Sequence, residues 1–320
     1  MVSVSLDAVM NDLRAKLSGV LESFDRNKRV MYLDYPVHRN VGDLLINIGT
    51  EQFFKENNIH VWRRYSIWDF PYHLPRIDPD VTVICHGGGN FGDIWTEYQK
   101  WREAIFEKYA NNRVVVLPQT VYFGSAEIAR ASIGKIGKHR NYHIYGRDQK
   151  SVDTLRSAGL SEVSVMPDMA HALWGVLPTP PNPQEHRAFL LMRTDVESTS
   201  LPEEYKRECA SLKPYDWLTI ISPLARVLGR LTGGIIRREA RVHLDIQKDW
   251  QWYPVRDMAI RSSLDFFSNY STIYTNRLHG MILGVLLRKQ VIAFDNSYGK
   301  LSGYYGTWLS ECNEIKLVRS

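Results

Sequence analysis

Three side chains near the end of the chain could together bind an anion and move a proton. Arg277, His279 and Lys300 all lie within the stretch Thr275–Lys300. Guanidinium and ammonium groups bind carboxylates and phosphates, and an imidazole gains or loses a proton near neutral pH. Two cations and a titratable ring therefore favour an anionic ligand whose reaction transfers protons.

The elements around these residues predict that they share one edge of a sheet. The pattern predicts a strand at Ser271–Thr275, a helix at Met281–Leu287 and a second strand at Val291–Phe294. Loops at the carboxyl ends of parallel strands line the ligand crevice in α/β proteins. A capped helix start with solvated side chains is the alternative, but the polar loop before Lys300 favours contact with a ligand.

A run of glycines forms a second candidate site. The buried strand predicted at Val81–Cys85 is followed by Gly87–Gly89 and Asn90, and a helix is predicted at Ile94–Tyr109. Such a run would expose backbone N–H groups at a helix start, a geometry that binds anions. The run lacks the acidic residue of a dinucleotide fingerprint and the lysine of a P-loop. A tight turn without a ligand remains the alternative.

Further charged residues follow other predicted strands. Arg147 follows the strand Tyr142–Tyr145 and should face the same crevice edge, while Asp148 beside it is a good N-cap for the next helix. Candidate second acids or bases are Asp43, Asp93 and Asp168. For each of these three aspartates a structural, helix-capping role stays open.

Strands alternate with helices along most of the chain, which predicts a mostly parallel, doubly wound α/β fold. A length of 320 residues predicts about two domains. The proline-rich segment Pro178–Pro183 cannot form a helix or a central strand and predicts a linker. We therefore expect an N-terminal domain at residues 1–180 and a C-terminal domain at 181–320. Whether the C-terminal tail packs back on the first domain stays open.

Metal and disulfide chemistry have no support in the sequence. Cys85, Cys209 and Cys312 are odd in number and lack CxxC spacing, which favours a reducing compartment over a disulfide framework or a structural zinc site. No His/Cys cluster is present. We predict no metal and no cofactor.

The charge and the N-terminus bear on partners and location. A net charge of +5 and a pI near 9.0 suit an anionic small substrate or a lipid-linked substrate at an acidic membrane surface. The cations form no dense block, so nucleic acid is not predicted. The amphipathic helix Leu6–Leu21 either docks on its own domain or contacts a membrane. Without a signal or a membrane-spanning segment, the predicted location is the cytoplasm, with the inner face of the membrane left open.

Seven motifs, in order, resemble the polysaccharide pyruvyl transferases, and most closely the bacterial exopolysaccharide branch of that family. They cover roughly residues 30–308, while 197–247 match poorly, and the acceptor sugar is a candidate ligand for that region. The motifs are DYPVHRNVGD (Asp34–Asp43), HGGGNFGDIW (His86–Trp95), LPQT (Leu117–Thr120), GRD (Gly146–Asp148), PDMA (Pro167–Ala170), NRLHGMI (Asn276–Ile282) and FDNSYGKLSGYYGTW (Phe294–Trp308).

The resemblance implies two Rossmann-like domains facing across a cleft, as in the GT-B glycosyltransferase architecture. It also implies phosphoenolpyruvate as the donor and a sugar diol as the acceptor, with a cyclic pyruvate ketal and phosphate as products. The residues that match the family's donor-binding or catalytic positions are Arg147, Arg277, Leu278, His279 and Lys300. We expect His279 to transfer protons with Arg147 as the second catalytic residue, and Gly88, Gly89 and Asn90 to add donors for phosphoenolpyruvate.

Two other functions stay open from the sequence. One is a GT-B glycosyltransferase that uses a nucleotide sugar, for which Asp295 is the only nearby candidate to bind the ribose. The other is a glycan-binding assembly protein without catalytic activity. The acceptor sugar, its linkage to a lipid and the oligomeric state do not follow from the sequence.

Overall fold

The fold consists of two parallel β-sheets flanked by helices. We describe it from a computed structural model, which describes residues 5–68, 70, 76–178, 187–194, 201–240, 247–295 and 299–318. All strand pairs in these ranges are parallel. The predicted α/β class, with two Rossmann-like units facing across a cleft, is confirmed.

The first sheet contains seven described strands, with the order β2-β1-β3-β5-β6-β7 and with β4 paired to β5. Its core strands are short apolar runs, typical of parallel strands covered on both faces. The strands are β1 (Val30–Leu33), β2 (Val61–Tyr65), β3 (Thr82–Cys85), β4 (Gly88–Gly92), β5 (Val114–Tyr122), β6 (Tyr142–Gly146) and β7 (Val163–Val165).

Helices cover both faces of this sheet. Asn40 caps the second helix through its side chain, and Asp148 caps the fifth, as the sequence predicts for Asp148. The helices are α1 (Leu6–Lys16), α2 (Val41–Glu56), α3 (Thr96–Lys108), α4 (Ala126–Ile136) and α5 (Gln149–Ser157), with 3₁₀ turns at Leu17–Ser23 and Met169–Leu173.

The second sheet has five described strands in the order β12-β11-β10-β8-β9. Its strands are β8 (Ala188–Leu191), β9 (Pro214–Tyr215), β10 (Thr272–Thr275), β11 (Gln290–Phe294) and β12 (Ile315–Val318). Its helices are α6 (Glu203–Lys206), α7 (Trp217–Ile220), α8 (Pro223–Ala240), α9 (Asp249–Ser268), α10 (Leu278–Leu286) and α11 (Lys300–Tyr304), followed by a π-turn at Tyr305–Leu309.

The glycine run forms a strand, whereas the sequence predicts a turn at the start of a helix. Residues Gly88–Gly92 form β4, which pairs with β5. The predicted helix is present and begins at Thr96. Gly88 and Gly92 adopt φ angles of +134° and +129°, which side chains disfavour. The glycines therefore provide a bent edge strand.

The pair Gly233-Gly234 lies inside a helix, although glycine disfavours helix interiors. Helix α8 continues through both residues to Ala240. A Cβ on Gly233 would make ordinary contact with Val37 and Trp252, so this glycine lies on the packed face of the helix. The contacts of α8 with α9 and the rest of the chain outweigh the roughly 1 kcal/mol that each interior glycine costs.

The two sheets divide where the linker is predicted. The last strand of the first sheet ends at Val165 and the second sheet begins at Ala188, while 179–186, with most of the proline-rich segment, lie outside the described residues. The boundaries 1–180 and 181–320 stay predictions. Near the C-terminus, the indole of Trp308 donates to the backbone oxygen of Arg147 (2.7 Å), whereas β12 stays in the second sheet.

The N-terminal helix packs on its own chain. Leu6, Val9, Met10 and Leu13 are buried in the main core, and Asp7 forms a salt bridge to Arg288 at 2.5 Å. The apolar face of α1 is thus not available for a membrane. None of the described helices is both long and apolar enough to span a bilayer.

Candidate active site

One cavity of about 770 Å³ lies between the two sheets. It collects residues from the loops that follow strands: Asp34 directly after β1, His86 directly after β3, Arg147 directly after β6, Arg277 two residues after β10 and Lys300 at the start of the helix after β11. In open parallel sheets, ligands bind outside the carboxyl ends of strands where the connections diverge to either side. The strand orders put such a point between β1 and β3 in one sheet and between β8 and β10 in the other.

Arg147 is held rigidly at the bottom of this cavity. Its side chain is 1% exposed, with Nε donating to Thr120 Oγ1 at 2.6 Å and one terminal nitrogen donating to Asp168 Oδ2 at 2.8 Å. A guanidinium group with two fixed partners keeps a single orientation. Its other terminal nitrogen points toward Gly89 and the cavity.

His279 shares a carboxylate with Arg147. Asp168 Oδ2 lies 3.2 Å from His279 Nε2 and also accepts from Arg147. Burial alone would raise the pKa of Asp168, but His279 and Arg147 outweigh it and hold that pKa far below its usual range. An ionised Asp168 can only accept, so Nε2 carries a proton and Nδ1 is the nitrogen that can exchange one.

Gly42 makes room for this imidazole. A Cβ at position 42 would come within 2.6 Å of His279 Nδ1 and 2.9 Å of its Cβ. The helix start at Asn40, where the side chain accepts from Gly42 N, thus brings backbone against the ring. Because Gly42 has no side chain, this backbone can approach His279 from the facing unit.

Lys300 meets Arg147 beside Gly89. A Cβ on Gly89 would lie 2.9 Å from Lys300 Nζ and 3.2 Å from an Arg147 terminal nitrogen. Two cationic groups from different sheets therefore converge on one bare stretch of backbone. Like charges this close favour an anion between them, because an anion offsets their repulsion.

Arg277 enters the same cavity with a carboxylate attached. Its guanidinium group forms a short ion pair with Asp216, and both residues line the cavity. Thr194 also donates to Asp216, at 2.7 Å. An anionic ligand at Arg277 would therefore compete with Asp216, a residue for which the sequence provided no signal because β9 is only two residues long.

Asp43 lines the cavity as an ionised carboxylate. Burial would raise its pKa, but His38, His279, His86 and Lys300 together lower it below the usual value. Asn40 Nδ2 donates to Asp43 Oδ2 at 2.8 Å, and His38 Nε2 lies at 3.6 Å. Of the three predicted aspartates, Asp43 therefore lines the cavity, and Asp168 contacts two residues that line it, Arg147 and His279.

Three predicted site residues are not among the described residues that line the cavity: Asp93, Gly88 and Leu278. Asp93 accepts from Gly124 N at 2.7 Å. Leu278 is 3% exposed with its side chain in the main core. Asn90 does line the cavity, where its amide donates to Asp34 at 3.2 Å.

Asp34 is a cavity residue that the sequence reasoning did not select. It directly follows β1 and has a φ of +67°, a strained conformation for a residue other than glycine. Burial raises its pKa to about 7, although Arg102 and Asn90 oppose the shift. Its place at a strand end, within the first motif, was a signal that could have identified it.

Replacing Asp34 with asparagine should remove a pH dependence of stability. A folded-state pKa raised to about 7 means that the native state keeps a proton the unfolded chain releases. The free energy of unfolding then falls as the pH rises from about 4 to about 7, by up to about 4 kcal/mol. Asparagine tolerates positive φ and carries no proton to lose.

We therefore expect Asp34→Asn to flatten the curve of melting temperature against pH and to be the more stable protein at pH 8. Thermal unfolding at a series of pH values measures both. Parallel curves for wild type and variant would contradict the assignment.

His86 is a second residue the sequence reasoning did not select. Its Nδ1 lies 2.6 Å from the Tyr32 hydroxyl, and burial lowers its pKa to about 4, so the ring is neutral at pH 7. Within the described chain its Nε2 has no hydrogen-bond partner, although the residue lines the cavity. A ligand is the natural partner for such a buried nitrogen.

Nothing in the described ranges resembles a metal centre. No three His, Cys, Asp or Glu side chains there are grouped so as to hold an ion. Asp295, the residue considered for a ribose, instead accepts backbone N–H groups of Leu301 and Ser302 at 3.2 Å and is not among the described cavity residues.

Comparison with known proteins gives a family match. Residues 40–298 match the family model for polysaccharide pyruvyl transferase. The chain is 36% identical over 313 residues to a Bacillus subtilis (strain 168) protein named "Putative pyruvyl transferase EpsO", covering 97% of this chain and 94% of the relative. It is 25% identical to "Pyruvyl transferase 1" of Schizosaccharomyces pombe over 89% of this chain and 71% of the other.

The fold has a solved counterpart. A crystal structure of an uncharacterised protein from Klebsiella pneumoniae superposes with a TM-score of 0.62 at 18% identity, covering 98% of this chain and 99% of the other. At that identity the likeness concerns the fold alone. The family match spans the cavity residues from Asn40 to Arg277 and His279, and with the 36% identical relative it shows that this chain is an enzyme of the polysaccharide pyruvyl transferase family.

Proposed function

We propose that this enzyme transfers pyruvate from phosphoenolpyruvate to two neighbouring hydroxyls of an exopolysaccharide sugar or of its lipid-linked precursor. The products are a cyclic pyruvate ketal and inorganic phosphate. The supporting observation is the convergence of Arg147, Lys300 and His279 in one cavity, with Asp168 joining the first and third.

The donor's charges fit the cations of the cavity. Phosphoenolpyruvate carries a phosphate and a carboxylate, and each needs cations or N–H donors. Arg147 and Lys300 converge on one point beside Gly89, and Arg277 stands at the adjoining strand end of the second sheet. One donor anion would sit between Arg147 and Lys300, and the other would exchange with Asp216 for Arg277.

The reaction requires proton transfers at several steps. The methylene carbon of the donor takes up a proton, which leaves an oxocarbenium-like centre at the adjoining carbon. One sugar hydroxyl oxygen bonds to that carbon and loses its proton, the carbon–oxygen bond to phosphate breaks, and the second hydroxyl closes the ring. Of the two hydroxyl protons, one ends on the new methyl group and the other on phosphate.

Two groups of the cavity are suited to carry these protons. His279 holds one proton on Nε2 toward Asp168 and can exchange the other on Nδ1. Asp34, with a pKa of about 7, is suited to accept a hydroxyl proton and release it again. A general acid and base with pKa values near the working pH are the most effective. The cations are all side chains, so the proposal requires neither a metal nor a cofactor.

The rest of the cavity suits a sugar. The rings of Trp68, Trp95, Tyr98 and Trp217 line it together with polar groups. Aromatic faces stack on the apolar faces of sugar rings, and a volume of about 770 Å³ leaves room for the small donor and a sugar unit.

We place the reaction in the cytoplasm, because the three buried free thiols favour a reducing compartment.

Gly89→Ala should weaken donor binding without unfolding the protein. The new methyl group would stand where Lys300 Nζ and Arg147 converge, at 2.9 and 3.2 Å. The flexible Lys300 would move aside and leave the anion with weaker contacts, so we expect the KM for phosphoenolpyruvate to rise about tenfold or more. The matched control is Gly134→Ala on α4, where a Cβ meets nothing within 4 Å and KM should not change.

Phosphate release on mixing enzyme, phosphoenolpyruvate and an acceptor glycan tests the function directly. We expect release that depends on the acceptor, and a rise in melting temperature with phosphoenolpyruvate alone. Stabilisation by nucleotide sugars but not by phosphoenolpyruvate would favour a glycosyltransferase instead. Glycan binding without phosphate release from any acceptor would favour an assembly protein.

A further inference from the structure

Helix α8 carries an uncovered apolar stripe. Leu224, Val227, Leu231 and Ile235 are 58%, 56%, 57% and 50% exposed, and we call these four residues the α8 stripe. They recur at intervals of three and four residues, so they share one face and extend over about 16 Å. These are among the most exposed large apolar side chains of the described chain.

The opposite face of α8 is packed, so the helix is fixed in place. Ala225 and Ile236 are fully buried, Gly229 contacts Arg39, and Gly233 contacts Val37 and Trp252. The α8 stripe is thus a second apolar face of a docked helix rather than an incompletely packed one. An exposed apolar face on a helix that is already packed on its other side indicates an interaction site.

Helix α8 is rich in cations. It contains Arg226, Arg230, Arg237 and Arg238 against a single carboxylate, Glu239, which is itself paired with Lys248 at 2.5 Å. Arg238 lies on the face of the α8 stripe, whereas Arg230 and Arg237 line the cavity. Exposed apolar side chains on an arginine-rich helix are the composition of helices that lie in a membrane interface.

The same helix forms part of the cavity. Gly229, Arg230, Gly233, Gly234 and Arg237 of α8 are cavity residues. Whatever covers the α8 stripe therefore lies directly beside the opening to Arg147 and His279.

We propose that the α8 stripe and Arg238 dock the enzyme on an anionic lipid bilayer, so that the cavity opens toward an acceptor sugar carried on a lipid. This deepens the proposed function and rests on it for the identity of the acceptor. Arg238 contributes attraction to anionic headgroups, and the four aliphatic side chains insert beside it.

A second copy of the chain fits this face less well. In a twofold interface the α8 stripe would meet itself, which would bring the arginines of both copies together with one glutamate each to offset them. Four aliphatic side chains also fall short of the roughly 1,000 Å² that a stable interface buries. The alternative membrane contact, α1, has its apolar face buried.

Sedimentation with lipid vesicles tests the proposal on the whole enzyme, without donor or acceptor. We expect binding to phosphatidylcholine vesicles that contain phosphatidylglycerol and little binding to phosphatidylcholine alone. Leu231→Ser/Ile235→Ser should lower the partition coefficient about tenfold or more, and Arg238→Gln about fivefold. The matched control is Ile128→Ser/Val176→Ser, which alters two apolar side chains that are 47% and 42% exposed elsewhere.

Equal binding of the Leu231→Ser/Ile235→Ser variant and the control would overturn the proposal, as would a wild-type enzyme that ignores both kinds of vesicle. Sedimentation equilibrium without lipid tests whether a second copy of the chain binds the stripe instead. If the wild-type enzyme is a dimer and only the Leu231→Ser/Ile235→Ser variant is a monomer, the stripe is a dimer interface and the proposal is overturned. If vesicle binding is as expected but no acceptor supports phosphate release, the surface stands and the proposed reaction fails.

Discussion

His279→Ala should lower the turnover of phosphoenolpyruvate by about 10²–10⁴-fold while the protein stays folded. The imidazole is the titratable group that touches both the Arg147–Asp168 pair and the facing unit at Gly42. Alanine removes the proton carrier but leaves Asp168 paired with Arg147 at 2.8 Å, so no buried charge is stranded. Stopped assays of phosphate release, with circular dichroism as a check on the fold, measure the effect.

Chemical rescue distinguishes proton transfer from simple loss of packing. The space vacated in His279→Ala should admit added imidazole and restore part of the turnover, whereas His279→Gln fills the space and should not respond. His60→Ala, at an exposed histidine, is the control and should retain full turnover. Wild-type turnover in His279→Ala would refute the assignment of this residue as the proton carrier.

The convergence of Arg147, His279 and Lys300 could be predicted because all three follow strands of parallel sheets. Sequence periodicity identifies such strands well, and topology then places their carboxyl ends at one edge. The family motifs at Gly146–Asp148, Asn276–Ile282 and Phe294–Trp308 contain the same three residues. Their chemical roles remain predictions.

The partner of His279 could not be predicted. Asp168 reads from sequence as a cap, and its Oδ1 does accept from Ala170 N at 3.0 Å, yet its Oδ2 joins Arg147 and His279 across the cleft. That second role depends on how the two units face each other, which no local pattern encodes. The ion pair of Arg277 with Asp216 escaped prediction for a similar reason.

Tertiary contacts explain why the structure departs from local preference at two glycine-containing segments. The glycines after β3 were expected to form a turn at a helix start, but β5 extends to Tyr122 and offers an edge along which they form β4. Helix α8 persists through Gly233 because it packs against α9. In both cases tertiary contacts outweigh the weak local preference.

Asp168→Asn should both destabilise the enzyme and abolish transfer. The carboxylate is fully buried and is the counterion of Arg147, whose side chain is 1% exposed. Removing one partner of a buried pair strands the other charge, at a cost of about 3–5 kcal/mol. We expect a melting temperature lower by about 5–10 °C, measured by calorimetry.

The pH dependence of that loss follows from the pKa of Asp168. Because this pKa is depressed in the folded state, the carboxylate stabilises the fold above its unfolded pKa of about 4, and the contribution fades only in stronger acid. The stability difference between wild type and Asp168→Asn should therefore shrink as the pH falls below about 4. A difference that stays constant in that range would place the titration elsewhere.

The substitution Asp148→Asn is a matched control that separates the loss of charge from the change of side chain. Asp148 is also buried and accepts from Ser151 N at 2.7 Å as the N-cap of α5, a role that asparagine fills about as well. Asp148→Asn should thus be close to neutral, whereas Asp168→Asn presents an NH₂ group or a neutral oxygen to two donors, Arg147 and His279. Retained turnover in Asp168→Asn would mean that His279 needs no anionic partner and that the three groups do not act as one unit.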